Sequence, residues 1–193
     1  MATLSDAPGE GAPTDDALLA RTAQGDAAGF EMLFHRHYDR VYGILFRLVG
    51  GRAEAEDLAQ EVFLRLHDHA RRRRGDEENL GAWLYRVAVN LGYNALRDRR
   101  RRQERETLLA ATPRADAEAA VLQREERRIV RAALARLSAR QAQLLILRQM
   151  EFSYAECAAV IGVAPGSVGT LLARAARDFR RAYERESAAG RQG

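Results

Sequence analysis

Apolar side chains recur at intervals of three and four residues between positions 80 and 102, and this spacing predicts a helix with one buried face. The predicted buried positions are Leu80, Trp83, Leu84, Val87, Ala88, Leu91 and Ala95. An adjoining polar stripe of the same helix consists of Arg86, Asn90, Tyr93, Arg97 and Arg101. Such groups contact phosphates, hydrogen-bond base edges and stack on unpaired bases. The polar stripe is a candidate nucleic-acid surface, and the alternative is the solvated side of an amphipathic helix.

Three further helices are predicted before this stretch. A short one spans residues 15–23, and a longer one, capped by Asp26, ends at Gly50-Gly51. The next, at about 53–69, keeps its apolar residues on one side. Its opposite side, the acidic face, carries Asp57, Gln60, Glu61 and Leu64. An exposed leucine among acids suits docking to a basic partner, although composition alone favours an ordinary solvated surface.

The second half of the chain carries the signals of a helix-turn-helix. Two capping boxes, Ser-x-x-Gln at 138–141 and Ser-x-x-Glu at 153–156, each predict a helix start. Gly162 suits a left-handed turn, and Pro165 suits the first turn of a last helix. A short capped helix, a tight turn and a longer helix with exposed arginines are typical of DNA-binding helix-turn-helix units.

Helical periodicity fades between these two groups of helices, which indicates two domains. The predicted organisation is a disordered tail at 1–14, a first domain at 15–103, a linker at 104–118, a second domain at 119–184 and a tail at 185–193. The first tail is rich in alanine, glycine and proline and has no basic residue, a composition that does not form a core.

Basic side chains favour an anionic partner. The formal net charge is +4, and apart from histidine every basic residue is arginine. Arginine forms bidentate contacts with phosphate and guanine. A GC-rich genome also yields arginine-rich proteins, so the positions of the arginines are more informative than their number.

The sequence gives little support for a disulfide, a redox or metal site, or a membrane span. A lone Cys157 excludes an intramolecular disulfide, and its apolar helical setting predicts a small buried side chain rather than a redox sensor. The histidine pairs 35/37 and 67/69 are spaced i, i+2, so their members point to different helix faces, and no metal or cofactor is expected. No apolar run approaches the ~18 residues of a membrane span, and no signal peptide is recognisable. We therefore expect a cytoplasmic protein that does not insert into membranes.

Three segments, in order, resemble an RNA polymerase sigma factor of the extracytoplasmic-function (ECF) type. AEAEDLAQEVFLRLH (53–67) is similar to region 2.2, AWLYRVAVNLGYNALRDRRRR (82–102) to regions 2.3 and 2.4, and residues 137–179 to region 4. The resemblance implies an all-α fold of two small helical domains joined by a flexible linker, the second with the helix-turn-helix. It also implies a non-catalytic subunit that binds core RNA polymerase and directs promoter-specific initiation.

The resemblance gives each surface a role. The acidic face would dock on the clamp helices of the polymerase's largest subunit, and the flap would be a second polymerase contact. The polar stripe and the loop 71–79 would open and hold the −10 promoter element, with Asn79 near the pocket for an unpaired base. The last helix would enter the major groove at the −35 element, and the linker would follow the RNA exit path.

The last helix departs from the family pattern T-V-K-S-R-L-x-R-A-R. Gly169, Leu171 and Ala176 replace basic residues, and Ala164 takes an N-cap place better suited to Ser or Thr. The remaining candidates, which we call the groove residues, are Ser167, Thr170, Arg174 and Arg177. Each lost arginine–phosphate contact weakens binding, so the −35 contact is expected to be weak, unusual in sequence or differently oriented.

Two other functions are alternatives to that of a sigma factor. A helix-turn-helix regulator acting without polymerase would need neither the acidic face nor the tryptophan-containing helix. A metal-dependent enzyme using His35, His37, His67 and His69 has no supporting motif. Because members of the resembled family are commonly held inactive by an anti-sigma factor and the chain has no long C-terminal extension, we expect a separate anti-sigma partner.

Overall fold

The computed structural model describes residues 12–72, 79–106 and 118–190, which form α-helices joined by short turns, with no strand among them. The first four helices are α1 (Asp15–Ala23), α2 (Ala27–Val49), α3 (Arg52–Arg72) and α4 (Leu80–Glu106). The others are α5 (Glu118–Arg136), α6 (Ala139–Gln149), α7 (Tyr154–Ile161) and α8 (Val168–Gly190), with a 3-10 turn at Pro165–Ser167. The predicted all-α fold is confirmed.

Parts of the predicted tails, loop and linker fall outside this description. They are residues 1–11, 73–78, 107–117 and 191–193. The predicted tail at 185–193 is wrong for residues 185–190, because α8 continues to Gly190. The carboxylate of Glu186 pairs with Arg136, which ties this extension to α5.

Local signals set most helix ends. The Asp26 carboxylate accepts hydrogen bonds from the first turn of α2, and Gly50 ends that helix with a positive φ of 76°. Both predicted capping boxes, at 138–141 and 153–156, are formed. Gly162 adopts the left-handed conformation after α7, as predicted. The turn between α7 and α8 is therefore that of a helix-turn-helix.

The first domain, α1–α4, is a bundle around α2. Leu33, Ile44, Val62 and Leu84 are among its fully buried side chains. α4 approaches α2 closely at Gly92, where an added Cβ would lie 2.7 Å from Cδ1 of Leu48. This approach fixes which side of α4 is buried in its own bundle and which side is left for other contacts.

The second domain, α5–α8, packs α8 across α5 and α6 and carries the helix-turn-helix in α7 and α8. We call it the HTH domain. Leu144, Leu147, Val168 and Ala175 are buried in it. α4 of the first domain also contacts α5, α6 and α7, so the buried residues of the two domains form one continuous cluster. The domains are thus packed face to face along α4.

Among the described residues, no single helix combines the length and apolar character needed to cross a membrane. The bent pair formed by Tyr154–Ile161 and Pro165–Ala189 passes that criterion by length and composition only.

Candidate nucleic-acid interface

Asn79 directly precedes α4 and has a local structural role. Its side-chain Oδ1 accepts a 2.9 Å hydrogen bond from the backbone N–H of Ala82, and the residue is exposed. The side chain therefore satisfies one of the free N–H groups at the helix start. Proximity of Asn79 to a base pocket stays a prediction, since the neighbouring residues 73–78 are outside the described part of the chain.

Arg86, the first residue of the polar stripe, reaches across to the HTH domain. Its Nε donates to the carbonyl of Val160 and its Nη2 to the carbonyl of Ala159, both at 2.8 Å. These carbonyls lie in the last turn of α7, where the helix dipole is negative. A guanidinium expected on phosphates is here engaged by the negative end of a helix.

Asn90 meets a second amide from the same domain. Nε2 of Gln143, on α6, donates a 2.6 Å hydrogen bond to Oδ1 of Asn90. Gln143 is only 8% exposed while Asn90 is exposed, so the contact lies at the edge of the packed surface. The amide predicted to read a base edge is paired with a protein amide.

Tyr93 corrects an expectation of the sequence analysis. Its ring was expected on an open surface, yet the residue is 2% exposed and its hydroxyl donates to the carbonyl of Leu137. Burial raises the pKa of Tyr93, with Arg97 and Arg100 acting in the opposite direction. The ring cannot stack on a base while the HTH domain lies on α4.

The basic end of α4 divides into structural and exposed arginines. Arg97 and Arg101 are exposed, and the Arg97 guanidinium lies 5.9 Å from the Tyr93 ring centroid. Arg99 turns the other way, where it donates to the carbonyl of Val49 at 2.7 Å and pairs with Glu54. Of the polar stripe, Asn90 and these two arginines are exposed, Arg86 is half-buried and Tyr93 is buried.

The acidic face of α3 is open. Asp57 and Gln60 are exposed, and Leu64 is 69% exposed, the highest value among the large apolar residues that the structure describes. Glu61 is half-buried and pairs with Arg65 at 2.5 Å. The structure brings these four residues together on one surface, as their spacing predicted. An exposed leucine bordered by carboxylates is available to a basic, partly apolar partner.

The groove residues lie on the outer side of the HTH domain. Ser167, Thr170, Arg174 and Arg177 are all exposed. Arg174 and Arg177 line a shallow basin of about 530 Å³ together with Arg180, Arg181 and Asp178. Hydrogen bonds from Arg181 and Gln141 lower the pKa of Asp178, so one carboxylate sits among four guanidinium groups.

Arg180 and Arg181 were not among the predicted groove residues, although they continue the arginine spacing of α8 by one more turn. Sequence analysis also missed a cluster between the domains. The ring of Phe152 lies edge-on to Tyr85, with centroids 5.1 Å apart, and the Arg40 guanidinium lies 5.2 Å from its centroid. Arg40 also pairs with Glu156 at 3.6 Å. The helical spacing of the arginines in α8 could have predicted Arg180 and Arg181. No local sequence signal connects Arg40 with Phe152 and Glu156, which are more than 100 positions away.

The histidines have other partners. His37 lies between Asp15, at 2.8 Å, and the Tyr85 hydroxyl, at 2.9 Å, and it is buried. His69 stacks on Trp83 with ring centroids 4.2 Å apart. No group of three or more potential metal ligands occurs within residues 12–72, 79–106 and 118–190.

Comparison with known proteins identifies both halves of the chain. The family model for Sigma-70 region 2 matches residues 33–102, and that for Sigma-70, region 4 matches residues 127–178. The ECF RNA polymerase sigma factor BldN of Streptomyces coelicolor is 35% identical over 172 residues, covering 85% of this chain and 64% of BldN. The ECF RNA polymerase sigma factor SigM of Mycobacterium tuberculosis is 34% identical over 164 residues, covering 84% of this chain and 81% of SigM.

Some of these matches cover only part of the relative's length, and one solved structure shows a similarity of fold. The chain spans 64% of the length of BldN, and 50% and 45% of two other matching sigma factors. Among solved structures, CnrH in complex with the cytosolic domain of CnrY matches with a TM-score of 0.61 and 20% identity. That match covers 86% of this chain and 95% of the CnrH chain, and it is a similarity of fold.

Proposed function

This chain belongs to the sigma-70 family as an RNA polymerase sigma factor of the ECF type, and we propose that it binds core RNA polymerase and directs promoter-specific transcription initiation. The observation that carries the proposal is that region 2 and region 4 both match, in order, with the acidic face of region 2 open to a partner.

The acidic face would dock on the largest subunit of the polymerase. Asp57 and Glu61 supply negative charge to a basic clamp, and Leu64 supplies apolar area at the same place. Charge complementarity steers and orients such an encounter, while the leucine contributes burial once the surfaces meet. Docking on this face requires no rearrangement of the first domain.

Promoter DNA would meet both domains. The polar stripe of α4, with Asn79, would hold the unpaired −10 strand through guanidinium, amide and aromatic groups. The groove residues of α8 would contact the −35 duplex, and Arg174 and Arg177 would supply phosphate contacts there. Gly169, Leu171 and Ala176 provide no basic group, so the shape of the groove and phosphate contacts would contribute more than base readout.

The remaining parts of the proposal concern partners and location. As a specificity subunit the chain would perform no catalytic step and need no cofactor, and it would act in the cytoplasm with the polymerase. The sigma factor RpoE of Bartonella quintana, whose fold is similar with a TM-score of 0.51, was solved in complex with the anti-sigma factor NepR, which supports a separate anti-sigma factor for this chain. A helix-turn-helix regulator acting without polymerase is not favoured, because it leaves the region 2 match without a role.

The test combines the purified chain with core polymerase and fragmented genomic DNA of its host, and maps transcript 5′ ends. We expect starts that depend on the chain, share upstream motifs and disappear with Asp57→Arg/Glu61→Arg. The control Glu126→Arg/Glu184→Arg makes the same charge change on exposed residues of the HTH domain and should keep the starts. If the Asp57/Glu61 variant still binds core polymerase and initiates transcription, the docking assignment is wrong. If the wild type binds core polymerase without initiating transcription, the proposed sigma function is wrong.

A further inference from the structure

We propose that the C-terminal part of α8 is a second DNA-binding surface, which holds phosphates of the duplex that flanks the −35 element. Its residues, which we call the flank arginines, are Arg180, Arg181 and Arg185, and all three are exposed. The match to region 4 ends at residue 178, so these arginines belong to the part of α8 that the family model does not cover. The inference rests on the proposed function, because it adds a contact with the same promoter duplex.

The positive charge of α8 is concentrated in its second half. Residues 165–173, which include the start of the helix and would enter the groove, contain no charged side chain. Residues 174–185 contain five arginines and two acids, a formal charge of +3. A DNA-binding helix gains sequence-independent affinity from each arginine–phosphate contact. Most of the affinity of α8 for phosphate must therefore come from the part that follows residue 173.

The groove residues and two of the flank arginines share one face of α8. Successive members of this face are three or four residues apart, which is the spacing of a single helical stripe. They are Thr170, Arg174, Arg177, Arg181 and Arg185. The opposite side of the helix is packed, since Ala175 and Ala182 are buried. The basin described above is lined by two groove residues and two flank arginines, so the two surfaces are continuous and face the same duplex.

This face is longer than the major groove is wide. Thr170 and Arg185 are 15 residues apart, which corresponds to about 22 Å along the helix axis. The major groove is about 12 Å wide, so a helix that enters it at the N-terminal end carries its last turns out to the sugar–phosphate backbone at the border. Guanidinium groups bind phosphate oxygens in a bidentate way, so the flank arginines suit that backbone.

Contacts with α5 and α6 fix the direction of this part of α8. The Asp178 carboxylate accepts hydrogen bonds from Arg181 and, at 2.5 Å, from Nε2 of Gln141 on α6. Glu186 pairs with Arg136 of α5. The Arg181 side chain is still 71% exposed, so its guanidinium has donors left for a phosphate. An ordered helix, rather than a frayed end, therefore presents the flank arginines.

The experiment uses the full chain and two duplexes that carry the −35 element of a promoter found by the transcript mapping. The short duplex covers the element in about one helical turn, and the long duplex adds about one turn of scrambled sequence on each side. Fluorescence anisotropy measures the affinity for each duplex at several salt concentrations. The variant is Arg181→Ala/Arg185→Ala. The matched control, Arg21→Ala/Arg65→Ala, removes two arginines of the first domain that are each paired with a carboxylate.

We expect the wild type and the control to bind the long duplex more tightly than the short one. The variant should bind the short duplex as the wild type does, which shows that it is folded, and should gain nothing from the flanks. Each lost phosphate contact lowers the slope of log K against log salt by about 0.9. Between about 50 and 200 mM salt, the affinity of the wild type for the long duplex should therefore fall about tenfold more than that of the variant.

Three results would overturn the inference. If the variant gains as much from the flanks as the wild type, the flank arginines do not contact DNA, and the −35 assignment of the groove residues stands. If the variant binds both duplexes equally weakly, these arginines act within the element or on the fold. If the wild type gains nothing from the flanks, they serve no duplex contact. A failure of the proposed function is seen earlier, because the transcript mapping then yields no promoter to test.

Discussion

Neighbouring arginines of α4 have different structural roles although their side chains are chemically identical. Arg99 and Arg101 belong to one arginine run, yet Arg99 donates to the Val49 carbonyl at the end of α2 while Arg101 is exposed. Nothing in the run itself distinguishes these two residues. Which arginine turns inward depends on where α2 ends, a tertiary fact that no local pattern contains.

Replacing Arg99 should therefore lower stability, whereas replacing Arg101 should not. Arg99→Ala removes a hydrogen bond to the Val49 carbonyl and the pairing with Glu54, and we expect it to reduce the free energy of unfolding by about 1–2 kcal/mol. Arg101→Ala should change it by less than ~0.5 kcal/mol. Urea unfolding followed by circular dichroism measures both, and equal losses would contradict the structural role of Arg99.

Gly92 is a second position in α4 where a single added atom, a Cβ, would disturb the packing of two helices. An added Cβ would lie 2.7 Å from Cδ1 of Leu48 and 3.2 Å from Cδ2 of Leu45, so Gly92→Ala must push α4 away from α2. We expect a loss of about 1–3 kcal/mol in the free energy of unfolding. Gly169→Ala is the control, since its Cβ would be at an ordinary 3.7 Å from Tyr154. A neutral Gly92→Ala would show that the two helices are less tightly packed than described.

At the scale of helices, the helix ends that are set by neighbouring residues were predictable from the sequence. The distant residues against which each helix packs were not. The capping boxes at 138–141 and 153–156 and the turn at Gly162 were read correctly, because each signal lies within a few residues of the helix end it sets. The end of α8 was placed too early, since its last turns are held by the Glu186–Arg136 pair, whose partners are 50 residues apart.

The docking of α1 gives a pH-dependent contribution to stability. Burial alone would raise the pKa of Asp15, but hydrogen bonds and charge interactions with His37 and Arg36 outweigh it and lower this pKa below its ordinary 3.8. A lowered carboxyl pKa stabilises the fold above the unfolded-state pKa, and the stabilisation is lost as the pH falls through the folded-state value.

Asp15→Asn should thus be less stable than the wild type at pH 7, and the difference should shrink as the pH drops below about 4. Urea unfolding between pH 3 and pH 7 measures the difference, with Asp39→Asn on the exposed side of α2 as the control. A gap that stays constant across that range would exclude the Asp15 carboxylate as its source.

At the scale of the whole molecule, the sequence predicted three surfaces and their chemistry but not how they are arranged. The acidic face and the groove residues are exposed, as their periodicity indicated. Tyr93 is covered because Leu137, from another domain, lies on it, and the exposed Asn90 accepts a hydrogen bond from Gln143 of the same domain. Helical spacing shows which residues share a face; it does not show that a second domain occupies that face.

Binding of duplex promoter DNA should depend on salt through the arginines of α8. We expect Arg174→Ala and Arg177→Ala each to weaken binding and to reduce the slope of log K against log salt by about 0.9. Titrations of a mapped promoter duplex at several salt concentrations give the slope. Arg128→Ala, which removes an arginine paired with Glu125 on α5, should leave it unchanged. An unchanged slope for the α8 variants would remove these arginines from the DNA contact.

The contact between Asn90 and Gln143 links two properties that otherwise evolve independently. If Asn90 contacts a base as proposed, a substitution there that changed the preferred base would also break its amide pair with Gln143. Descendants that acquire a new promoter preference would restore the pair only through a second substitution at position 143. Positions 90 and 143 should therefore covary among relatives that pack in this way.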